Sequence, residues 1–215
     1  MTSPASDSLK EILVRLDSRI RRVDEERWLS SRYASPAHRN ALIVLYAFYY
    51  ELARVRVAVS DPTMGQIRFQ WWRDALEELA KGEPRQHDVV LALELQIAGG
   101  AYEIAALQEL VVQHETAFLA QDRGLEPEAM LAAIAARVLV PMHSCGELIR
   151  SIAPAWAQLR RGETVEIGVV VTSIPANLRP ALAHFRLRRA WSAGRQPGRM
   201  GKRASILLAM LTGSI

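Results

Sequence analysis

Between Ala41 and Val59 almost every residue is apolar, and the only charges are Glu51, Arg54 and Arg56. A helix that is apolar on nearly all sides is buried on nearly all sides. The run therefore predicts a central helix around which a core is built. Charges inside such a helix must pair, reach water or line a polar cavity, because burying a lone ion is costly. Glu51 and Arg54 are three residues apart, the spacing that puts both side chains on one helical face. They are expected either as a buried ion pair or as the wall of a ligand cavity. Asp61-Pro62 ends the helix, since Pro disfavours the α conformation in the residue before it. Thr63 is expected as the N-cap of a second helix, which Gly82 closes. In that helix Ile67, Trp71, Ala75 and Leu79 predict an apolar stripe, and Gln66, Gln70, Arg73 and Glu77 a polar one. Trp71-Trp72 reads as core packing with an interface edge. Gln70 and Arg73 suit either a cavity wall or a solvated face.

The remaining segments also carry helical periods. Residues 1–8 are polar and expected to fray, and Leu9 to Trp28 predicts an amphipathic helix through Ile12, Leu13, Leu16, Ile20 and Val23. Ser30 to Pro36 is a break, with Ser35 capping and Pro36 opening the central helix. Glu83 to His87 is a loop, and Asp88 is expected to cap a helix that Gly99-Gly100 interrupts. A further helix carries Ile104, Leu107, Leu110, Val111 and Phe118. Glu126-Pro127-Glu128 opens the next, which Pro141 breaks. Leu148 to Leu159 predicts a helix that Pro154 kinks or splits. Val165 to Val171 is β-branched, but without a second strand it is read as irregular or as a helix edge. Ala181 to Trp191 predicts a basic amphipathic helix, Gly194 to Gly201 a loop, and Ile206 to Leu211 an apolar end. Half of the 215 residues are hydrophobic, which suits one domain over 1–215 with an all-α fold and a weaker basic tail.

Several function classes are disfavoured. The one cysteine, Cys145, excludes an internal disulfide and a cysteine-rich zinc site, in keeping with a reducing cytoplasmic setting. His87, His114 and His143 have no partner at helical metal-ligand spacing, and no acid orients His143 towards Cys145 as a nucleophile's base would need. No basic-then-apolar leader and no apolar run of about 18 residues is present. The net charge of +4 is unevenly placed: after Glu166 there is no Asp or Glu, while eight basic residues follow. Such a tail favours an anionic surface, in particular lipid headgroups at the inner membrane face. It lacks the interleaved aromatics or the module of a nucleic-acid reader, so no nucleic-acid partner is expected.

The segment LYAFYYELARVRVAVSDPTMGQIRFQWWRDALEEL, with SSRYASPAHRNALIV before it, resembles the squalene/phytoene synthase family. The order of Pro36, Arg39, Tyr46-Ala47-Phe48, Ile67 and Gln70-Trp71-Trp72-Arg73 carries the likeness over about Trp28 to Gly82. Residues 129–162 resemble the family more loosely, and the last fifty only in basic, helical character. The resemblance implies a prenyl-synthase-like (terpenoid synthase) helical bundle, here shortened at its C-terminal side. It also implies enzymes that condense two prenyl diphosphates, using magnesium held by two Asp-rich motifs. Magnesium suits that task because it takes carboxylate oxygens and neutralises leaving pyrophosphate.

In this sequence the first motif's Asp positions fall on Ala53, Arg54 and Val57, and the Arg that often precedes it on Tyr50. The second motif best fits Leu148-Ile149-Arg150-Ser151 through Gly162, where Arg150 is kept and its acidic neighbour is Ser151. The resemblance thus leaves Tyr46, Tyr50, Glu51, Arg54, Gln70, Arg73 and Arg150 as cavity-lining candidates, with no catalytic residue and no metal ligand. Glu51-Leu52-Ala53-Arg54 is similar to a branch of the family that assists respiratory complex I assembly. The expected function is therefore a catalytically degenerate family member in binding or assembly at the membrane face. Its expected partners are a prenyl lipid or diphosphate, a respiratory-complex subunit and an anionic membrane surface, with no cofactor. The alternative is an active prenyltransferase of squalene or phytoene biosynthesis, which would need magnesium.

Overall fold

The computed structural model describes residues 4–122, 125, 127–165 and 173–215, with side chains from residue 8. The described residues form helices without strands: α1 Pro4–Val23, α2 Glu25–Ser31, α3 Pro36–Ala58, α4 Pro62–Ala80, α5 Asp88–Ala98 and α6 Ile104–Leu119. They continue with α7 Glu128–Leu139, α8 Gly146–Arg160, α9 Arg179–Leu182, α10 Arg188–Ser192 and α11 Arg199–Thr212, with 3₁₀ turns at Ala176–Leu178 and Ala183–Leu187. Helix α1 begins at Pro4, inside the stretch 1–8 expected to fray, with proline in the first turn where a missing N–H costs nothing. The segment Val165 to Val171 lies outside the described residues from position 166 on. Tertiary contacts divide the chain into two compact units, residues 1–23 with 40–127 and residues 24–39 with 128–215.

In the first unit the central helix is largely as its composition dictates. Every residue from Ala41 to Tyr49 is buried. The burial fails at the C-terminal end, where Arg54 is exposed and Val57 is 89% exposed. Leu52 and Val55 stay buried there, so the last two turns are two-faced rather than enclosed. Phe48 meets Trp72 of α4 edge to face at 5.3 Å, and Tyr49 meets His114 of α6 at 4.7 Å. Helices α4 and α6 pack closely, because Gly65 faces the Phe118 ring where any Cβ would collide. The buried face of α4 is Gly65, Phe69, Trp72, Ala75, Leu76 and Leu79. It is rotated from the expected stripe: Ile67 is exposed and Trp71 is half-buried. Phe69 wins the inward position over Ile67 through its ring contact with Phe118 at 5.8 Å.

The caps differ from the sequence reading in a consistent way. Asp61, not Thr63, caps α4, its carboxylate accepting from the Met64 N–H at 2.8 Å. His87, not Asp88, caps α5 through Nδ1, which accepts from the Val89 N–H at 3.3 Å. Asp88 is thereby free to accept from Nε and Nη2 of Arg15 on α1, each at 3.0 Å. In both cases the cap lies one or two residues before the position that composition favoured. The side chain must precede the free N–H groups it serves.

The second unit is built on a short helix. The expected single helix over Leu9 to Trp28 breaks at Asp24, whose carboxylate accepts from Arg27 N–H and restarts the chain as α2. Arg27 is 2% exposed and pairs with Asp24 and with both oxygens of Glu128 on α7, while its guanidinium lies 4.9 Å from the Trp156 ring centre on α8. Arg160, one turn beyond Trp156, reaches Asp24 at 3.3 Å and Glu26 at 3.2 Å. Lys202 of α11 binds Glu26 at 2.5 Å. Pro154 does not split α8, whose buried face from Ile149 to Leu159 is held by packing while Pro154 itself is half-buried.

The segment expected as a basic amphipathic helix, Ala181 to Trp191, is instead a chain of short α and 3₁₀ turns. Ala181, Leu182, Ala183, His184, Phe185, Leu187 and Arg188 are all buried, and only Arg186, Arg189 and Ala190 are partly exposed, too few for an amphipathic period to serve. The loop expected from Gly194 ends at Gly198, and α11 starts at Arg199. Four arginines of the basic tail bind main-chain oxygens at the end of α11. Arg179 donates to Met210 at 2.7 Å and Leu211 at 3.0 Å, Arg186 to Ser214, and Arg188 and Arg189 to Ile215. Cations at a helix C-terminus meet its unpaired carbonyls and its dipole. Gly213 (φ +72°) turns the chain there, and a Cβ on it would sit 2.7 Å from the Ile174 oxygen.

Two outcomes check these assignments. Asp61→Ala should cost about 1 kcal/mol of unfolding free energy in urea, the usual loss of an N-cap, whereas the exposed Thr63→Ala should cost almost nothing. The second concerns Asp24. Burial raises its carboxyl, but Arg160 and Arg27 outweigh that and bring it down from 3.8 to about 2. A depressed folded value means stability that is present above pH 4 and is lost as pH falls towards 2, about 2 kcal/mol in all. Burial raises Glu128, which titrates in the opposite sense. Comparison with Asp24→Asn isolates the effect: the variant should be less stable at pH 6 and lose less on acidification to pH 2 than the parent.

Candidate functional site

The candidates near the central helix separate into two polar sets in the first unit. Tyr46 is 2% exposed and belongs to the core. Tyr50 is half-buried, with the Arg54 guanidinium 5.9 Å from its ring centre. Glu51 accepts from Arg19 Nη1 of α1 at 2.7 Å and faces Arg54 Nη1 at 3.3 Å. The stronger partner thus comes from α1, which local spacing cannot reveal, and Arg54 is the peripheral one with a side chain 55% exposed. Contacts this open to water contribute about 1 kcal/mol or less, so the buried ion pair expected of Glu51 and Arg54 is absent. His87 lies beside this set, 5.3 Å from the Trp72 ring. Burial lowers its pKa, with Glu51 and Asp88 opposing.

The second set lies on α4 and α6. Gln70 Oε1 accepts from Arg73 Nε at 3.0 Å and Nη2 at 2.8 Å, and Gln70 Nε2 donates to Asp74 at 2.6 Å. Arg73 also pairs with Glu115 of α6. Arg85 donates to Glu78 at 2.5 and 2.7 Å and stacks 5.1 Å from the Trp71 ring. Every one of these groups is satisfied by a neighbour, which suits helix-to-helix bracing more than ligand capture. Arg150 belongs to the second unit, where it is exposed and paired with Glu147 one turn before it.

Magnesium chemistry needs convergent carboxylates, and the residues at the motif positions do not supply them. Ala53 is half-buried, Arg54 is exposed, and Val57 points into water, while Ser151 is exposed on α8. Among the described residues no group of three or more His, Cys, Asp or Glu could hold a metal ion. The arrangement does not fit a magnesium-diphosphate centre.

The concave feature that sequence reasoning missed is in the second unit. A groove of about 480 Å³ is lined by Trp28, Leu29, Arg32 and Tyr33 of and after α2, and by Met200, Arg203, Ala204, Ile206 and Leu207 of α11. The Arg32 guanidinium stacks 4.6 Å from the Trp28 ring. Its signal was present: Met200, Ala204, Leu207 and Leu211 fall at helical spacing. Reading Gly194 to Gly201 as loop removed the first of them from the pattern. The buried Arg27 cluster had a weaker signal, since Asp24-Glu25-Glu26-Arg27 looks like any solvated charge run.

Comparison with known proteins bears on the first unit above all. The family model for squalene/phytoene synthase matches residues 20–139, more than half of the chain. Among curated proteins, NADH dehydrogenase (ubiquinone) complex I, assembly factor 6 from Homo sapiens is 32% identical over 74 residues, 34% of this chain and 22% of that protein. The Rattus norvegicus protein of the same description is 34% identical and the Bos taurus one 30%, with the same coverage. The match therefore spans about a fifth of the length of these relatives. No solved structure matches the chain at a significant level. With helices in every matched segment and the motif order from Pro36 to Arg73 in place, this chain belongs to the squalene/phytoene synthase family.

Proposed function

We propose that this protein works as a non-catalytic binding or assembly member of its family, acting on a respiratory-complex subunit rather than on prenyl diphosphates. The observation that carries this reading is the state of the metal positions, Ala53, Arg54 and Val57, which lack carboxylates and lie on the water-facing end of α3. Without carboxylates there is nothing at these positions to hold the magnesium that would neutralise a departing diphosphate. The curated relatives named as complex I assembly factors support the assembly part, with the class of partner taken from them. A prenyl lipid or diphosphate ligand has no observation in its favour, since Gln70, Arg73 and Glu51 are engaged with protein partners.

The membrane-face component rests on less than the sequence suggested. Arg179, Arg186, Arg188 and Arg189 bind main-chain oxygens, and Lys202 binds Glu26. Arg195, Arg199 and Arg203 remain as exposed cations of the tail. Among the described residues no helix is long and apolar enough to cross a membrane. Contact with an anionic surface would thus be peripheral, through three arginines, and would weaken as salt screens them.

Two measurements test the proposal. Purified protein incubated with farnesyl or geranylgeranyl diphosphate and magnesium should release no pyrophosphate above the protein-free control. Steady release that a chelator abolishes would overturn the reading in favour of a prenyltransferase. In the host, deleting the chain should lower the amount of assembled respiratory NADH dehydrogenase on native gels while leaving squalene and carotenoid content unchanged. The reverse pattern would assign it to isoprenoid synthesis.

A further inference from the structure

Helix α11 is covered on one side only. Its inner face, Ile206 and Ala209, is fully buried. On the opposite face Met200, Ala204, Leu207, Leu208 and Leu211 are all exposed, Met200 at 74% and Leu211 at 70%. Their spacing places them along one line of a helix of 14 residues, about 21 Å long. An apolar line of that length facing water marks a surface made to be covered. It is continuous with the groove of about 480 Å³ between α11 and α2, to which Met200, Ala204 and Leu207 contribute one wall and Trp28, Leu29 and Tyr33 the other.

The charges of this surface that are not already paired are of one sign, since Lys202 of α11 holds Glu25 and Glu26 of α2. Arg199 and Arg203 flank the apolar line on its groove side, both exposed and without an acidic partner among the described residues. No acid lines the groove, and the sequence has no Asp or Glu after Glu166. A concave trough beside an apolar ridge accepts a row of side chains, which a flat bilayer surface does not supply. A free single-chain amphiphile could enter the trough but would leave Leu208 and Leu211 uncovered. A second helix with its own apolar stripe covers both features at once, and helix-in-groove recognition has this form.

We infer that the α2–α11 surface docks an amphipathic helix of a partner protein, about four turns long, whose apolar stripe is flanked by Asp or Glu facing Arg199 and Arg203. This deepens the assembly reading above and rests on it, since it names the kind of segment that would be held. Leu207 and Leu211 anchor the stripe, and the two arginines set its direction by charge.

The experiment uses the full chain and two labelled synthetic 18-residue helices. Both carry Leu at i, i+3, i+4 and i+7, one with Glu on the flank and the other with Lys. By fluorescence anisotropy the Glu-flanked peptide should bind and the Lys-flanked one should not. Leu207→Glu with Leu211→Glu should weaken binding at least about tenfold, as loss of interface anchors does. These residues are exposed, so the melting temperature should hold. Arg199→Glu with Arg203→Glu should reverse the preference towards the Lys-flanked peptide. Equal binding of the two peptides, or binding indifferent to these variants, overturns the inference. So does a failure to bind accompanied by pelleting with phosphatidylglycerol vesicles that the leucine variants abolish, which would assign the face to lipid. Concentration-dependent dimers in sedimentation that Leu211→Glu dissolves would assign it to a second copy of the chain. Complementation separates this inference from the functional proposal. If the leucine variant restores assembled NADH dehydrogenase to the deletion host as well as the parent chain does, the docking surface falls and the assembly role stands.

Discussion

A guanidinium at 2% exposure is the constraint on which the second unit depends. Arg27 cannot lose its proton, so its charge has to be met where it stands. The two carboxylates that meet it come from Asp24, at the head of its own helix, and Glu128, at the head of α7. Trp156 of α8 covers the guanidinium plane, and Arg160 shares Asp24 from the other side. A helix as short as α2, with 7 residues, has too few turns to hold its place by propensity or by area. Charge pairing fixes it, and the neighbouring helices are then positioned against it. Lys202 carries the same logic to α11 through Glu26.

The first unit works by the opposite means. Its centre is the enclosed span from Ala41 to Tyr49, where apolar area and ring contacts do the positioning. Its charges, Arg15 with Asp88, Arg19 with Glu51 and Arg73 with Glu115, brace helices at the margin and are partly open to water. Catalysis in a family of this kind would call for acids at the same margin, aimed inward. Here the corresponding helix end carries Ala53, Arg54 and Val57 and faces out. That margin braces helices, and this is the ground on which the non-catalytic reading is proposed.

What could be read from the sequence followed from how local each cause was. The central helix, the break at Asp61-Pro62, the turn at Gly99-Gly100 and the all-helical character were legible, because an apolar period or a backbone stop is written in adjacent residues. Pairings across the chain were not. Arg19 lies 32 residues from Glu51, and Arg27 lies 101 from Glu128, so spacing along one helix pointed to Arg54 and to nothing at all. The buried face of α4 was misread by a fraction of a turn, because Ile67 and Phe69 are both apolar and only the Phe118 ring decides between them. The tail was legible only in part, for a different reason. Eight cations without an acid look like a surface for anions, but main-chain oxygens are acceptors too, and composition does not count them.

Those main-chain contacts at the end of α11 have a consequence for how the outer face can change. Arg179, Arg186, Arg188 and Arg189 grip backbone oxygens, and the Gly213 carbonyl accepts from the Ile174 N–H at 2.9 Å. None of these contacts reads the identity of Met200, Leu207, Leu208 or Leu211. The helix keeps its seat whatever side chains it shows to water, so its outward lettering is insulated from the stability of the unit. Related chains built on the same clasp could then diverge in what they recognise through α11 while the framework beneath it stays constant.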